Sequence, residues 1–508
     1  MIALADRQPS ARQLRRSTPG VYARAYPVTL GLWAVQYARR GRPSAGRRPP
    51  LVVLVEDRSG DVLEWSAATW PPVLTTLTPF RRDVELVVLG LGVLFLLAFF
   101  DLRRPLRLVN LDFLVVLSFG ASLAFFDRGE PLVSVPLIYP PLVYLLVRLL
   151  IAGFRGTRVR GPLVPWASER VLGLALVLLL AARVALNLAL GQTNDVSYAS
   201  VFGANSIHHG LPLYAPGHTY LDTYGPIAYL AYLPFELVFP LGGSWQHDYL
   251  SAAHAAAITF DLLTVLGLFL LGRRLRAGTA GRQLGITLAF AWAACPLTFF
   301  PLALSTNDGL VPLFVVYALL ALSSPVLRGA LLGLAAAAKF APLALAGLLA
   351  AGRGERRARS TLIFGLAMAV VVGASVWAYL PGGGLHVFWS QTLGFQLRRH
   401  SFLSLWGQQP ELRWLQTALK AATLVLAASL FALPRRRDTV QVAALAGAVL
   451  VALELTVVYW NFVYLVWFVP FLLVGLFAAP EGARATCSET DVEHRAQPGP
   501  VVMEPVPA

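Results

Sequence analysis

The stretch richest in reactive side chains runs from 192 to 226. It reads Thr193-Asn194-Asp195-Val196-Ser197-Tyr198, then His208-His209-Gly210-Leu211-Pro212-Leu213-Tyr214, then Asp222-Thr223-Tyr224-Gly225-Pro226. Carboxylates and imidazoles bond hydroxyl groups, and aromatic faces take apolar C–H edges. That mixture suits a sugar. The competing reading is a solvated turn in which Asp195 only helps to cap a short loop helix.

Further candidates lie downstream. Ser305-Thr306-Asn307-Asp308 reads as a tight turn between two apolar runs, on the same side as the first loop. Asn-Asp is also ordinary turn chemistry. Lys339 is one of only two lysines among 42 basic residues, and it interrupts an apolar run. An ammonium at membrane depth calls for an anionic partner or a polar cavity, and a lipid phosphate would serve. A third stretch carries Phe388-Trp389-Ser390-Gln391, Gln396-Leu397-Arg398-Arg399-His400-Ser401 and Trp406-Gly407-Gln408. Its arginines suit phosphate pairing. An interfacial aromatic belt is the plainer alternative. Arg183 and Asp261 lie at similar depth in consecutive apolar runs and are expected to form a buried structural pair.

Other chemistries find no support. No phosphate-cradling glycine loop, metalloprotease motif or dinucleotide fingerprint occurs. A soluble Asp-x-Asp sugar-nucleotide domain is absent as well. Cys295 and Cys487 give neither a disulfide framework nor metal-ligand spacing. The +15 formal charge comes from arginines clustered between apolar runs, such as 103–107, 155–160, 273–276 and 435–437. That is the pattern of cytoplasmic loops, so nucleic acid is not an expected partner.

The elements that must position these residues are membrane helices. Hydrophobic residues make up 56% and charged residues 14%, against roughly 25% charged in a soluble domain. Run length predicts an all-α polytopic protein of about twelve membrane segments. Residues 1–83 form a separate region with a β-hairpin from Leu51–Glu56 and Val62–Ala67. Residues 84–169 hold extra helices. Residues 170–380 make the principal module, with its first outside loop at 192–249. Residues 381–479 add a second outside loop and the last helices, and 480–508 form a disordered tail. The arginine clusters place both large loops outside the cell membrane. Pro226–Pro240 is expected not to span, because it is short and carries Glu236 and three prolines. Arg328–Ala351 is flanked by cytoplasmic signals, so it is expected to break near Lys339-Phe340-Ala341-Pro342 and turn back.

The order of these parts resembles the GT-C superfamily of polyprenyl-phosphate-sugar-dependent glycosyltransferases, most closely glycosyltransferase family 87, which is mannosyltransferase-like. The matching parts are Asp195-Val196-Ser197-Tyr198, the His-Gly-x-Pro-x-Tyr run at 209–214, and Asp222-Thr223-Tyr224-Gly225-Pro226. Ala252-Ala253-His254, Phe260-Asp261-Leu262-Leu263, Thr306-Asn307-Asp308, Lys339-Phe340 and Arg398 through Trp406 follow. The resemblance implies a GT-C-like bundle in the plasma membrane with its active site at the extracytoplasmic face. It implies inverting transfer of a hexose or pentose from a polyprenyl-phosphate donor to a glycan, lipid or protein acceptor, with Asp195 as general base. His208, His209, Tyr214, Asp222, Tyr224, Asp308, Lys339, Arg398, Arg399, His400 and Trp406 are the expected substrate-binding residues. No cofactor and no metal ligand set is expected. A lipid or glycan flippase is the competing class; broken helices and a buried lysine suit it too, but internal repeats are not visible.

Overall fold

A computed structural model describes residues 1–29, 32–39, 51–56, 62–67, 82–127, 131–156, 167–214, 223–242, 249–354, 358–398, 401 and 403–478. The expected tail at 480–508 lies outside the described residues.

The N-terminal region is a small unit of its own. Helices Ile2–Ala5 and Pro9–Ser17 precede strands β1 (Val21–Thr29), β2 (Leu32–Arg39), β3 (Leu51–Glu56) and β4 (Val62–Ala67). The strands form one antiparallel sheet in sequence order, with Val53 opposite Val35 and Trp65. Alternation puts Val35, Tyr37, Leu51, Val53 and Val55 in one core with Ala5 and Ala11. Tyr37 donates to Asp6 at 2.7 Å, and Arg15 donates to the same carboxylate at 2.8 Å. Burial, reinforced by the Asp6 carboxylate, raises the Tyr37 hydroxyl above its ordinary range.

The remainder is helical, as a lipid environment requires of backbone that must satisfy its own polar groups. Among the described residues, five helices are long and apolar enough to cross a membrane: Leu108–Phe126, Pro131–Arg155, Glu169–Leu190, Ser251–Leu275 and Ala358–Ala378. Gly278–Ala294 and Pro296–Ala303 make a sixth if counted together, bent by 69° where Cys295 meets Pro296. Shorter apolar helices fill other runs, including Pro325–Ala338, Thr439–Glu454 and Phe462–Gly475. Gly272 lets two helices touch: a Cβ there would stand 2.4 Å from the Cα of Gly285.

Two ends of the bundle differ in character. At one, Arg437 donates to the Gly352 carbonyl at 2.8 Å, Arg353 to Thr439 at 3.0 Å and Arg274 to Ser323 at 3.1 Å. Glu169 pairs with Arg282 at the same end. The opposite end is built from aromatic and polar loops. There Gln192 bonds Ala303, Tyr249 bonds Leu188, and Trp460 bonds Leu403. The loops that carry Arg274 and Arg282, Arg353 and Arg437 share this first end.

Pro226–Leu230 and Leu233–Val238 are two short helices. Even as one continuous helix, the thirteen residues Pro226–Val238 would rise only about 20 Å, less than a hydrocarbon core of about 30 Å. Arg183 meets Asp261 through two hydrogen bonds of 2.8 and 3.0 Å, and Trp292 adds a third to the carboxylate at 2.8 Å. A second buried pair joins Arg148 to Asp112 at 2.7 and 2.8 Å, with Tyr144 at 2.8 Å.

Candidate functional site

The centre of the site is the tip of a re-entrant hairpin. Pro325–Ala338 is helical, Lys339 is extended, and Ala341–Leu345 with Ala346–Ala351 runs back. Pro342 breaks the run because it cannot donate to a continuing helix. Arg328, near the start of the first limb, donates to Ala350 at the end of the second at 3.1 Å, and to Ser360 at 3.0 Å. Both limbs therefore end at the arginine-rich end. Fourteen residues of helix lift Lys339 about 21 Å from it.

Lys339 is buried, and its Nζ donates to Asp308 Oδ1 at 2.7 Å. Trp467 Nε1 donates to the same oxygen at 3.1 Å. The ammonium lies 4.7 Å from the Tyr224 ring centre, 5.7 Å from Trp467 and 5.8 Å from Tyr464. Three aromatic faces thus add cation–π attraction to one ion pair. An ammonium has three donor hydrogens and Asp308 takes one.

Asp308 departs from the expected surface turn. Ser305, Thr306, Asn307 and Asp308 are all buried, at 0–1% exposure. The bend at Pro296 turns the chain sideways before it reaches the surface, so the turn is folded into the protein. Asn307 donates to Ser200 at 3.0 Å and fixes this turn against the loop helix Asp195–His208.

That helix is held at both ends. The Asn194 side-chain oxygen accepts from the backbone of Val196 and Ser197, both at 3.1 Å, and the Asn194 backbone N–H donates to Ser197 Oγ at 2.6 Å. This reciprocal cap makes Asp195 the first helical residue, where the helix dipole favours a carboxylate. Asp195 is partly exposed. It stands about 7.5 Å of helix rise from Ser200, the residue tied to Asn307. At the other end Glu236, fully buried, accepts from Asn205 at 2.8 Å and pairs with His208 at 2.7 Å.

The other expected residues divide. His208 is committed to Glu236, whereas His209 is exposed and bonds the Asn205 carbonyl at 2.9 Å. Tyr214 is buried, donates to the Tyr224 carbonyl at 3.0 Å and meets Phe388 of the second loop edge-on at 5.0 Å. Tyr224 is in the cluster. Its neighbour Gly225 lies against the hairpin so closely that a Cβ would stand 2.0 Å from the Ala337 carbonyl. Trp406 is buried and donates to the Leu455 carbonyl at 3.0 Å, a packing contact. Arg398 ends the helix Leu393–Arg398. Asp222, Arg399 and His400 lie outside the described residues. The structure therefore gathers Tyr224, Asp308 and Lys339, with Asp195 one helix segment away.

Sequence reasoning overlooked Trp467, Tyr464, Asn307 as an anchor, and Glu454. Glu454 is the one charged residue in the run 440–458, which is the signal that marked Lys339. His254, at the end of Ala252-Ala253-His254, stacks on Tyr249 at 4.4 Å and bonds Asn187 at 3.0 Å and Ser305 at 3.1 Å. Among the described residues no group of three His, Cys, Asp or Glu is arranged to hold a metal ion.

No curated protein matches the chain. Residues 223–474, which include Tyr224, Asp308, Lys339, Glu454 and Trp467, match the model of glycosyltransferase family 87. Over that stretch the chain is similar to glycosyltransferase family 87, and the match, with the apolar helices, supports a membrane glycosyltransferase.

Proposed function

We propose that this protein transfers a hexose, mannose-like, or a pentose from a polyprenyl-phosphate donor to a hydroxyl of a glycan, lipid or protein acceptor. The reaction takes place at the extracytoplasmic face of the plasma membrane, which is the aromatic end of the bundle. The observation that carries this reading is the buried Lys339 at the hairpin tip, ringed by Tyr224, Tyr464 and Trp467. A cation at that depth suits a phosphate anchored in the headgroup layer by its own lipid.

The acceptor oxygen attacks the anomeric carbon opposite the phosphate. Asp195 takes the acceptor proton as general base. The bond from the anomeric carbon to the phosphate oxygen breaks, and its electron pair leaves with polyprenyl phosphate. Attack from the opposite face inverts the anomeric centre. Lys339, with N–H groups beyond the one given to Asp308, stabilises the charge that grows on the leaving phosphate. His209, and the loop residues Asp222, Arg398, Arg399 and His400, are the proposed contacts for acceptor and donor headgroup.

The test is reconstitution in liposomes with labelled polyprenyl-phosphate hexoses and pentoses, in parallel with nucleotide sugars. Transfer is expected from a lipid-linked donor. Transfer from a nucleotide sugar with no lipid-linked donor present would overturn the proposal.

A further inference from the structure

The polar core beneath the candidate site contains a carboxyl group that neither the family match nor the proposed chemistry uses. Glu454 is the last residue of the helix Thr439–Glu454 and has no exposed surface. Neither of its carboxyl oxygens has a hydrogen-bond partner among the described residues. Asp308 lies within electrostatic range of it, and Asp308 Oδ2 is likewise buried without a partner. Sixteen residues of helix lift Glu454 about 24 Å from the arginine-rich end, close to the depth of Lys339.

The charges at this depth do not balance if both acids are ionised. Lys339 is committed to Asp308 at 2.7 Å. One cation then faces two anions, and the second anion has no donor among the described residues. An isolated carboxylate buried in an apolar interior is prohibitively costly and becomes neutral instead. A metal ion is a poor remedy, because the Lys339 ammonium already occupies the Asp308 carboxylate and repels a second cation. A bound sugar is too large for groups that are wholly enclosed.

We propose that Glu454 works as the neutral acid, a positioning residue that keeps the Lys339–Asp308 pair at zero net charge and so open to an anionic phosphate. An ionised Glu454 would give the cluster a net charge of −1 and repel the phosphate that Lys339 is placed to receive. The protonation state is inferred from the burial of Glu454 and the lack of a donor to it among the described residues; the consequence for phosphate binding rests on the donor class proposed above.

Two measurements on the full-length protein in lipid test this. Isotope-edited infrared spectra with labelled glutamate are expected to show the carbonyl stretch of a protonated carboxyl, lost in Glu454→Gln. The same variant, a neutral isostere, is expected to keep kcat and donor KM within about threefold of wild type. Glu454→Asp, shorter by a methylene, is expected to lose more turnover than Glu454→Gln although it conserves the acid. If the wild type shows no such protonated glutamate, Glu454 is ionised and the inference is wrong. It is equally wrong if Glu454→Gln folds and loses turnover by about 100-fold, the mark of a required anion. Should Glu454→Gln not fold, the wild-type spectrum decides. A failure of lipid-linked donors to support transfer in the wild type would remove the donor reading and leave the infrared result standing.

Discussion

Lys339 and Asp308, 31 residues apart, form a 2.7 Å ion pair deep in the bundle, where a re-entrant hairpin meets a turn driven inward by a bent helix. Each was a separate candidate for substrate in the sequence. As a pair they are also part of the scaffold, and substitutions at either must be read with that in mind.

Removing the ammonium leaves a buried carboxylate with only Trp467 as donor among the described residues. Lys339→Met is expected to cost about 3–5 kcal/mol of stability, the usual result of stranding one member of a buried pair. Lys339→Met with Asp308→Asn is expected to recover most of that stability but not turnover. Thermal unfolding in detergent, measured beside transfer, separates the two effects. A single Lys339→Met variant as stable as wild type would contradict the pairing.

Arg183 and Asp261 are expected to behave differently, because neither is a proposed substrate contact. Either single substitution to an apolar residue should lower expression, with a loss again of about 3–5 kcal/mol. The double Arg183→Met/Asp261→Leu variant should regain much of the expression and retain turnover. Recovery is partial because Arg183 also donates to the Ala293 and Thr298 carbonyls at 3.0 and 3.2 Å. A double variant as poorly expressed as the singles would contradict a structural role.

Topology is testable at two exposed positions on opposite ends, His209 and Thr279. In a background with Cys487 replaced, a cysteine at His209 is expected to react with an impermeant reagent added outside intact cells. A cysteine at Thr279 should react only after the membrane is opened. Labelling of both from one face would overturn the orientation. Gly203 is unsuitable as a reporter, since a Cβ there would stand 2.2 Å from the Tyr229 ring.

The readable parts of the fold are those set by composition along the chain. Apolar run length gave the long helices. Pro342 beside Lys339 gave the break in the hairpin, since proline removes a helix donor. Arg183 and Asp261 were legible as opposite charges at matching depth. The same signal was present for Asp112 and Arg148 and went unread, because Asp112 stands at the edge of its run and resembles a loop residue. The Lys339–Asp308 contact was not legible for a different reason. It depends on the 69° bend at Pro296, which is a property of tertiary packing and not of periodicity. Trp406, expected from the sequence as a substrate contact, is a buried side chain bonded to the Leu455 carbonyl.

The central claim is that Asp195, fixed at the first turn of its helix, accepts the proton of the acceptor hydroxyl. The most direct measurement is turnover of Asp195→Asn in liposomes with a lipid-linked donor that the wild type uses. Asparagine is nearly isosteric and keeps the capped helix start, so membrane insertion should be normal. A loss of at least ~10²-fold in transfer is expected, the scale of a missing general base. Turnover within about threefold of wild type would contradict it, and an inactive Asp222→Asn beside it would move the base to that residue.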